Sequence, residues 1–368
     1  MTVVRPVSTM SRVSLRVGIL TFHWAANYGA VLQAYALQRV LGQAGFDTEI
    51  IDYVPYRVYL AQALHRIRSR EFRVFLKEYR TRRFIRGYSA VSPRLIVTSR
   101  GVSRVGNRYD CVVVGSDQIW NENLTLTGEK GPLGAYFLDG VAASTRRVAY
   151  AASLGAVAVS EKYAAFVGPL LLKFESVGVR EASGARIVEG LGVRATLVLD
   201  PTLLLEREQF EPLIPSNIGA SSGKTVSYIL HHQGDELLRT AELAVLSLGD
   251  GEIVRLERSA LGVGDWLGVL RGAGFVITNS YHAVVFCIHF GVPFLVVPVS
   301  GAVSGMNDRM DTLLATVGLE GRMLRDTDCI TARRVASSPI DWISVRDRMS
   351  AARSVSLDFL LASVRGRD

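Results

Sequence analysis

The sequence predicts an α/β protein built from two Rossmann-like domains. Short runs of β-branched residues recur along the chain, each stops at glycine or polar residues, and helical patterns separate most of them. A segment rich in Ser, Gly and Pro, "LIPSNIGASSGK" at 213–224, divides this alternation into two halves. At 368 residues the chain is too long for one ordinary core, and its 49% hydrophobic content can fill two.

The first predicted domain covers residues 13–205. It opens with a buried strand, "LRVGILTF" (15–22), and a helical pattern on which Ala30, Ala34 and Leu37 share one face, with Gly45 as a stop signal. The strand "TEIIDY" (48–53) follows, and strand, helix, strand in this order makes a right-handed parallel unit. Further strands are predicted at 110–120, 147–155, 176–181 and 194–204, with helices at about 161–174 and 182–191.

The second predicted domain covers residues 206–345, and a C-terminal helix occupies 346–368. Its strands are "TVSYIL", "EIVRLE", "GFVITNS" and "PFLVVP", with helices between them, and an amphipathic stretch at 342–364 ends the pattern. Two Rossmann-like halves and a terminal helix that can cross back to the first domain form a glycosyltransferase-B-like plan. Its cleft lies between the domains, where the carboxyl ends of both sheets face each other.

Targeting signals and cysteines favour a cytoplasmic protein. The first sixteen residues lack the apolar core of a signal peptide and are interpreted as a loose leader. No stretch approaches the roughly 20 apolar residues of a membrane span. Cys111, Cys287 and Cys329 are scattered, and two lie in apolar patterns, which is typical of buried free thiols in a reducing compartment.

A basic insertion at about 57–108 interrupts the first domain. The segment from Arg66 to Arg86 contains nine Lys/Arg residues and two acidic residues, Glu71 and Glu78, with apolar side chains interleaved. One interpretation is a solvated helical insertion with one face packed down. The other is a basic amphipathic surface, residues 66–86, that contacts anionic membrane lipid or a phosphorylated lipid carrier at the inner face of the membrane. Neither zinc spacing nor an RNA-binding aromatic motif is present, so no nucleic-acid partner is expected despite the net charge of +8.

Unusual polar residues fall at the predicted strand ends. Asn27 and Gly29 follow the first strand, Ser116 and Asp117 follow another, Arg180 ends a third, and residues 278–282 end a strand of the second domain. Each has a structural explanation, because caps and tight turns use the same residue types. The carboxyl ends of parallel strands share one edge, however, so a His, an Arg and an Asp are expected to converge on the cleft.

Other polar residues are interpreted as structural. Asp200-Pro201-Thr202 is typical of a turn, and His289 lies within an apolar helix. His231 and His232 follow a strand and can approach the cleft, but no pattern assigns them a role. Without an HxxxH pattern, an Asp-x-Asp pair, a GxGxxG loop or a P-loop, the sequence predicts no metal and no nucleotide cofactor.

Six ordered motifs resemble the polysaccharide pyruvyl transferase family: "NYGAVLQAYALQ", "VVVGSDQIWN", "YAASLG", "VGVRE", "LDPTLL" and "ITNSYHAVVFCIHFGVPF". The resemblance covers about residues 15–325. It implies the glycosyltransferase-B-like fold and a ketal pyruvyltransferase. Such an enzyme moves pyruvate from the donor substrate phosphoenolpyruvate to two sugar hydroxyls, on a cell-surface polysaccharide or its lipid-linked precursor, with no cofactor.

The resemblance also implies roles for individual residues. His282 matches the donor-contacting histidine and is the candidate acid, while Asp117 is assigned as base for the acceptor hydroxyl. Arg180 matches the arginine that binds phosphoenolpyruvate. Asn279 and Ser280 are expected at the donor, and Asn27, Gly29 and Ser116 are expected in the first-domain wall.

One departure from the family pattern concerns the donor site. The better-understood branch reads Arg-Leu-His where this chain reads Ser280-Tyr281-His282, and Ala283 replaces a common glycine. Arg309 is the first candidate to replace the lost arginine. Two other functions stay open: a nucleotide-sugar glycosyltransferase on the same scaffold, and a non-catalytic sugar-binding member of the family.

Overall fold

The computed structural model describes residues 14–60, 72–125, 134–216, 223–231, 235–249, 252–256 and 259–366. The first domain is built on a parallel six-stranded sheet of order β2-β1-β3-β4-β5-β6. Its strands are β1 (Arg16–Leu20), β2 (Asp47–Ile50), β3 (Cys111–Val114), β4 (Arg146–Ala152), β5 (Ser176–Val179) and β6 (Thr196–Leu197). Strands β3 and β4 are almost completely buried, as expected of a sheet covered on both faces.

Within the described residues, the helices of this domain include α1 (Tyr28–Gln43), α2 (Phe72–Tyr88), α3 (Ser99–Gly106), α4 (Glu122–Thr125), α5 (Glu161–Leu171) and α6 (Ala182–Gly190). Helix α1 begins where Asn27 Oδ1 accepts a hydrogen bond from the Gly29 amide at 2.9 Å. The strand predicted at 194–204 is much shorter than expected. The chain turns at Asp200, whose carboxylate caps a 3₁₀ helix over Pro201–Leu203.

The second domain is built on a parallel four-stranded sheet of order β10-β9-β7-β8. Its strands are β7 (Thr225–Tyr228), β8 (Ile253–Arg255), β9 (Phe275–Thr278) and β10 (Phe294–Val296). Its helices are α7 (Asp235–Leu246), α8 (Val263–Gly272), α9 (Tyr281–Phe290), α10 (Asn307–Val317), α11 (Cys329–Ser337) and α12 (Trp342–Arg365). Helix α9 begins after the capping residue Ser280 and ends at Gly291, whose φ of 68° favours glycine.

One hydrophobic cluster contains residues of both domains, and the terminal helix ties the domains together. The Tyr28 ring stacks on Trp266 with centroids 5.1 Å apart. Helix α12 crosses back to the first domain, as predicted: Ser356 Oγ accepts the Leu199 amide at 3.0 Å, and the Val364 carbonyl accepts Arg146 Nη1 at 2.9 Å. The glycosyltransferase-B-like arrangement expected from the sequence is therefore confirmed.

Helix α2 holds the described part of the basic surface at 66–86, while residues 66–71 lie outside the described residues. Several of its basic side chains make contacts that stabilise the fold. Lys77 Nζ lies 4.5 Å from the centre of the Tyr28 ring, Arg80 donates to the Ala260 carbonyl, and Arg86 Nη2 pairs with Asp52 at 2.8 Å. The helix therefore bridges the two domains. None of the described helices has the length and apolar character needed to cross a bilayer.

Candidate active site

Two helices whose N-terminal ends lie at the cleft, one from each domain, face each other across the domain boundary. Strand order reverses between β1 and β3 in the first sheet and between β7 and β9 in the second, the positions where such sheets bind ligands. Helix α1 begins after β1 and helix α9 begins after β9. Their first turns touch, since a Cβ on Gly29 would lie only 2.0 Å from Nδ1 of His282. Gly29 thus allows the imidazole to pack directly on the helix backbone.

The Asp200 carboxylate connects the polar residues of the cleft. Its Oδ2 accepts hydrogen bonds from Arg180 Nη1 and Ser116 Oγ, both at 2.9 Å. Its Oδ1 accepts the Thr202 amide at 3.0 Å and the Thr202 hydroxyl at 2.6 Å. Burial raises the pKa of this carboxyl, but His282, Arg180 and Thr202 outweigh burial and hold the pKa well below its usual range. Asp200 is therefore a fixed negative charge.

Arg180 is buried among three carboxylates. Besides Asp200, Asp117 Oδ1 lies 3.4 Å from Nη2 and Glu181 Oε2 lies 3.8 Å from Nε. Burial lowers the pKa of Arg180, but Asp117 and Asp200 outweigh it and raise this pKa above its usual value. The Arg180 side chain has no exposed surface. The Asp117 contact is longer than the Asp200 contact, and Asp117 is the most exposed of the three carboxylates, so it is the one that a ligand can replace most readily.

His282 lies at the start of α9 with Nε2 directed toward the same carboxylate oxygen. The distance from Nε2 to Asp200 Oδ2 is 3.7 Å, and Nε2 has no hydrogen-bond partner among the described residues. The side chain is 10% exposed. Arg180 and His282, 102 positions apart in the sequence, therefore meet at one oxygen of Asp200.

Asp117 and Ser116 follow β3 and have different environments. Asp117 has a φ of 72°, a left-handed conformation that Asp adopts more readily than most side chains. Its carboxylate accepts a hydrogen bond from the Gln118 amide at 2.8 Å, and its side chain is 13% exposed at the cleft. Ser116 is completely buried, and its hydroxyl donates to Asp200. Ser116 therefore acts on the cleft through Asp200, whereas Asp117 has direct access to it.

The second domain contributes Tyr281 and Arg309. The guanidinium carbons of Arg180 and Arg309 lie 4.8 Å and 6.0 Å from the centre of the Tyr281 ring, so two cations share one aromatic ring. Burial, followed by the charge of Arg180, lowers the pKa of Arg309 to about 10, so Arg309 stays charged at neutral pH. Arg309 makes no ion pair with any residue that the structure describes.

Asn279 fixes the loop that follows β7. Its Oδ1 accepts the Leu230 amide at 2.7 Å, and its Nδ2 donates to the His231 carbonyl at 2.9 Å. Burial and the charge of Arg309 lower the pKa of His231, which favours a neutral imidazole. His232 lies outside the described residues. Asn279 therefore positions the second-domain wall, and Ser280 caps α9 by accepting the Ala283 amide at 3.4 Å.

Helix α6 joins the two domains next to Arg180. Its first amides donate across the boundary, Ala182 N to Thr312 Oγ1 at 3.2 Å and Ser183 N to Asp308 Oδ2 at 2.8 Å. Glu181 instead turns back, and its Oε1 accepts the Leu154 amide at 2.8 Å. Arg309 therefore lies on the same turn of α10 that caps α6.

Sequence reasoning did not assign Asp200 or Glu181 to the site. Asp200 was expected to be a structural turn; it does cap the 3₁₀ helix, and it also binds Arg180. His289 was interpreted as structural: burial lowers its pKa to about 4, and its Nε2 donates to the Thr202 carbonyl at 2.8 Å. Across the described ranges, no three His, Cys, Asp or Glu side chains are grouped closely enough to bind a metal ion.

Comparison with known structures shows the fold. The chain is similar to a putative UDP-N-acetylglucosamine 2-epimerase from Listeria monocytogenes, with a TM-score of 0.50, 13% identity and 95% of each chain covered. It is also similar to a glycosyltransferase from Rickettsia africae, with a TM-score of 0.49, 9% identity and 96% of each chain covered. At such low identity these similarities concern architecture alone.

Comparison with protein families is more specific. No curated protein sequence matches the chain significantly. The model of one family, described as polysaccharide pyruvyl transferase, matches residues 27–301, which is most of the chain and includes Asp117, Arg180, Asp200 and His282. The chain therefore belongs to the polysaccharide pyruvyl transferase family.

Proposed function

We propose that the protein transfers pyruvate from phosphoenolpyruvate to two hydroxyls of a sugar, forming a cyclic ketal on a cell-surface polysaccharide or its lipid-linked precursor. Family membership supports the reaction class. The observation that carries the proposal is the meeting of Arg180 and His282 at Asp200 Oδ2, at 2.9 Å and 3.7 Å, in the seam between the two sheets. A cation and an acid–base group are thereby placed side by side, as an enol phosphate donor requires.

The donor's anionic groups are assigned to two arginines. Arg309 is charged and has no described carboxylate partner, so it takes the carboxylate or the phosphate first. Arg180 binds the other group when the donor replaces Asp117 at Nη2, the contact of 3.4 Å. Asn279 and Ser280 shape this wall. In this assignment Arg309 takes the place of the arginine that the family's better-understood branch carries at position 280.

His282 is assigned as the acid. Its protonated imidazole delivers a proton to the methylene carbon of the enol phosphate, and positive charge develops at the neighbouring carbon. A sugar hydroxyl attacks that carbon, forming the first C–O bond. A positioned acid of this kind contributes roughly 10²–10⁴-fold in rate. Asp200 Oδ2 lies 3.7 Å from Nε2, and the contact with Gly29 sets the plane of the ring.

Asp117 is assigned as the base for the attacking hydroxyl, because its carboxylate is the exposed one of the three around Arg180. The bond from carbon to the phosphate oxygen then breaks, phosphate leaves, and the second hydroxyl closes the ring. Over the cycle the methylene carbon gains one proton and the hydroxyls lose two. The second proton leaves with phosphate, so atoms and charge balance.

Phosphate release and donor binding test the proposal together. The wild-type protein is expected to bind phosphoenolpyruvate in calorimetry and to release phosphate only with a suitable member of a mono- and oligosaccharide panel. The ketal methyl group gives the product a new singlet in its proton NMR spectrum. His282→Asn should keep donor binding and lose at least about 100-fold in turnover, while His289→Gln on the same helix should stay active. Absence of phosphoenolpyruvate binding would contradict the proposal. Binding of UDP instead would favour the glycosyltransferase alternative.

We also propose that the outer face of α2 contacts an anionic membrane at its inner surface, where a lipid-linked acceptor would be presented. Phe75 and Tyr79 lie one turn apart and are 46% and 52% exposed. Arg83 continues this face one turn later, is exposed, and makes no ion pair with a described residue. Exposed aromatic and basic side chains on one helix face suit the headgroup region of a bilayer.

Vesicle sedimentation tests this contact. The protein is expected to bind vesicles of phosphatidylglycerol and phosphatidylcholine more tightly than phosphatidylcholine alone, and salt should weaken the binding. The double variant Phe75→Ser/Arg83→Gln should lose most of this binding. Arg194→Gln, an exposed arginine on the first domain outside α2, is the control and should bind as wild type. Equal loss in both variants would indicate general charge attraction and contradict an α2 contact.

A further inference from the structure

A cavity of about 720 Å³ lies outside the cleft, beside the β2 edge of the first sheet. The chain segment 92–98 and helix α3 form its walls, and Arg16 and Tyr109 line it where β1 begins and just before β3. The cleft residues Asn27 and Asp117 follow the opposite, carboxyl ends of these two strands. None of the cleft residues described above lines the cavity.

The cavity has an excess of unpaired positive charge. Arg94, Arg104 and Arg108 line it and are exposed. None of these three guanidinium groups makes a hydrogen bond or an ion pair with a residue in the described ranges. Among the described residues that line the cavity, Glu49 is the one acidic side chain, and it already accepts a hydrogen bond from the Tyr109 hydroxyl and lies 3.9 Å from Arg16 Nη2. An anion entering the cavity meets several free cations and one carboxylate that is already engaged.

The rest of the lining is apolar. Leu95 is 43% exposed, and Ile96, Val97 and Val105 continue the same surface. A ligand that fits both features carries a multiply charged head and an apolar or planar body. Guanidinium groups bind phosphate through paired hydrogen bonds, and the volume is within the range of roughly 300–1,000 Å³ that small-molecule sites occupy.

We propose that this cavity, which the pyruvyl transfer reaction does not use, is a binding site for a small organic phosphate with an apolar body. Arg94, Arg104 and Arg108 hold the phosphate, and Leu95 and Val105 contact the body. The assignment is independent of the chemistry proposed for the cleft.

The probe is 1-naphthyl phosphate, a fluorescent dianion with a planar apolar body, titrated against the full-length protein. Saturable binding is expected, with inorganic phosphate and 1-naphthol each at least about tenfold weaker because each lacks one half of the ligand. Arg104→Gln/Arg108→Gln should weaken binding of the probe at least about tenfold. Leu95→Ser should weaken it severalfold. The control is Arg100→Gln, an exposed arginine on α3 that does not line the cavity and should leave the affinity unchanged.

Two further measurements keep the proposal falsifiable. The thermal unfolding of each variant is compared with wild type, so that a folding defect is not read as lost binding; a misfolded double variant is replaced by the single variant Arg108→Gln. Arg309→Gln, in the cleft, should bind the probe normally. The proposal is overturned if no saturable binding occurs, if Arg100→Gln loses as much affinity as the double variant, or if the loss appears only in Arg309→Gln.

Discussion

The contact between Gly29 and His282 gives the sharpest test of the candidate site. In Gly29→Ala the new methyl group would lie 2.0 Å from Nδ1, 2.2 Å from Cγ and 2.6 Å from Cε1 of His282, whereas ordinary contacts begin at 3.4 Å. The imidazole must move by about 1.4 Å or the first turns of α1 and α9 must separate. A displacement of about 1 Å at a catalytic group can cost on the order of 100-fold in rate. We therefore expect turnover to fall about 100-fold in a protein that remains folded.

Gly42→Ala is the matched control on the same helix. A Cβ at position 42 would have Thr48 Oγ1 at 3.9 Å as its only close neighbour, so alanine should raise the free energy of unfolding by about 0.5–1 kcal/mol and leave turnover unchanged. Phosphate release measures the rate, and the ¹⁵N-labelled imidazole signals of His282 report its displacement without any acceptor. Wild-type turnover in Gly29→Ala, or unmoved imidazole signals, would refute the assignment of His282 as a positioned acid.

Three other predictions follow from charges in the same region. Asp200→Asn should lower the free energy of unfolding by about 3–5 kcal/mol and abolish turnover, because buried Arg180 loses its closest counter-charge; Thr202→Val, which removes only the hydroxyl bond to Oδ1, should cost about 1 kcal/mol and keep turnover. Because the pKa of Asp200 is held low, its contribution is present above about pH 4 and is lost as pH falls further, and thermal melts of Asp200→Asn should lack that slope. His289, with its pKa lowered to about 4, should make wild type lose roughly 1–3 kcal/mol of stability between pH 6.5 and pH 4, and His289→Gln should flatten the melting temperature across that interval. Arg309→Gln should weaken phosphoenolpyruvate binding at least about tenfold in calorimetry, with Arg309→Lys intermediate, whereas equal affinities would remove Arg309 from the donor site.

The sequence was sufficient for the architecture because parallel strands of this class are continuous apolar runs. β1, β3 and β5 lie within the predicted segments, each followed by the polar residues that the site uses. β6 was predicted too long: Leu197, Val198 and Leu199 continue the apolar run, but the chain leaves the sheet to bring Asp200 under Arg180. Apolar patterning reports burial, and both the strand and the buried turn after it are apolar.

The site was only partly predictable from the same residues. Strand ends share an edge, which was enough to place Asp117, Arg180 and His282 together. The pairing of side chains was not visible. The sequence "DPT" is compatible with an aspartate that only caps a turn and with one that also binds a guanidinium. In the structure Asp200 does both. Likewise Ser116 was expected to line the wall, but its hydroxyl is drawn inward by Asp200.

The caps that α10 provides for α6 have a mechanical consequence for entry into the cleft. Asp308 and Thr312 accept hydrogen bonds from the first two amides of α6, two and three residues after Arg180, and Arg309 lies on the same turn of α10. Any hinge motion that draws α10 outward must break both bonds, carry Arg309 away, and leave two unpaired N–H groups next to Arg180. Amides freed in this way would form an exposed helix terminus beside Arg180, and such a terminus attracts anions.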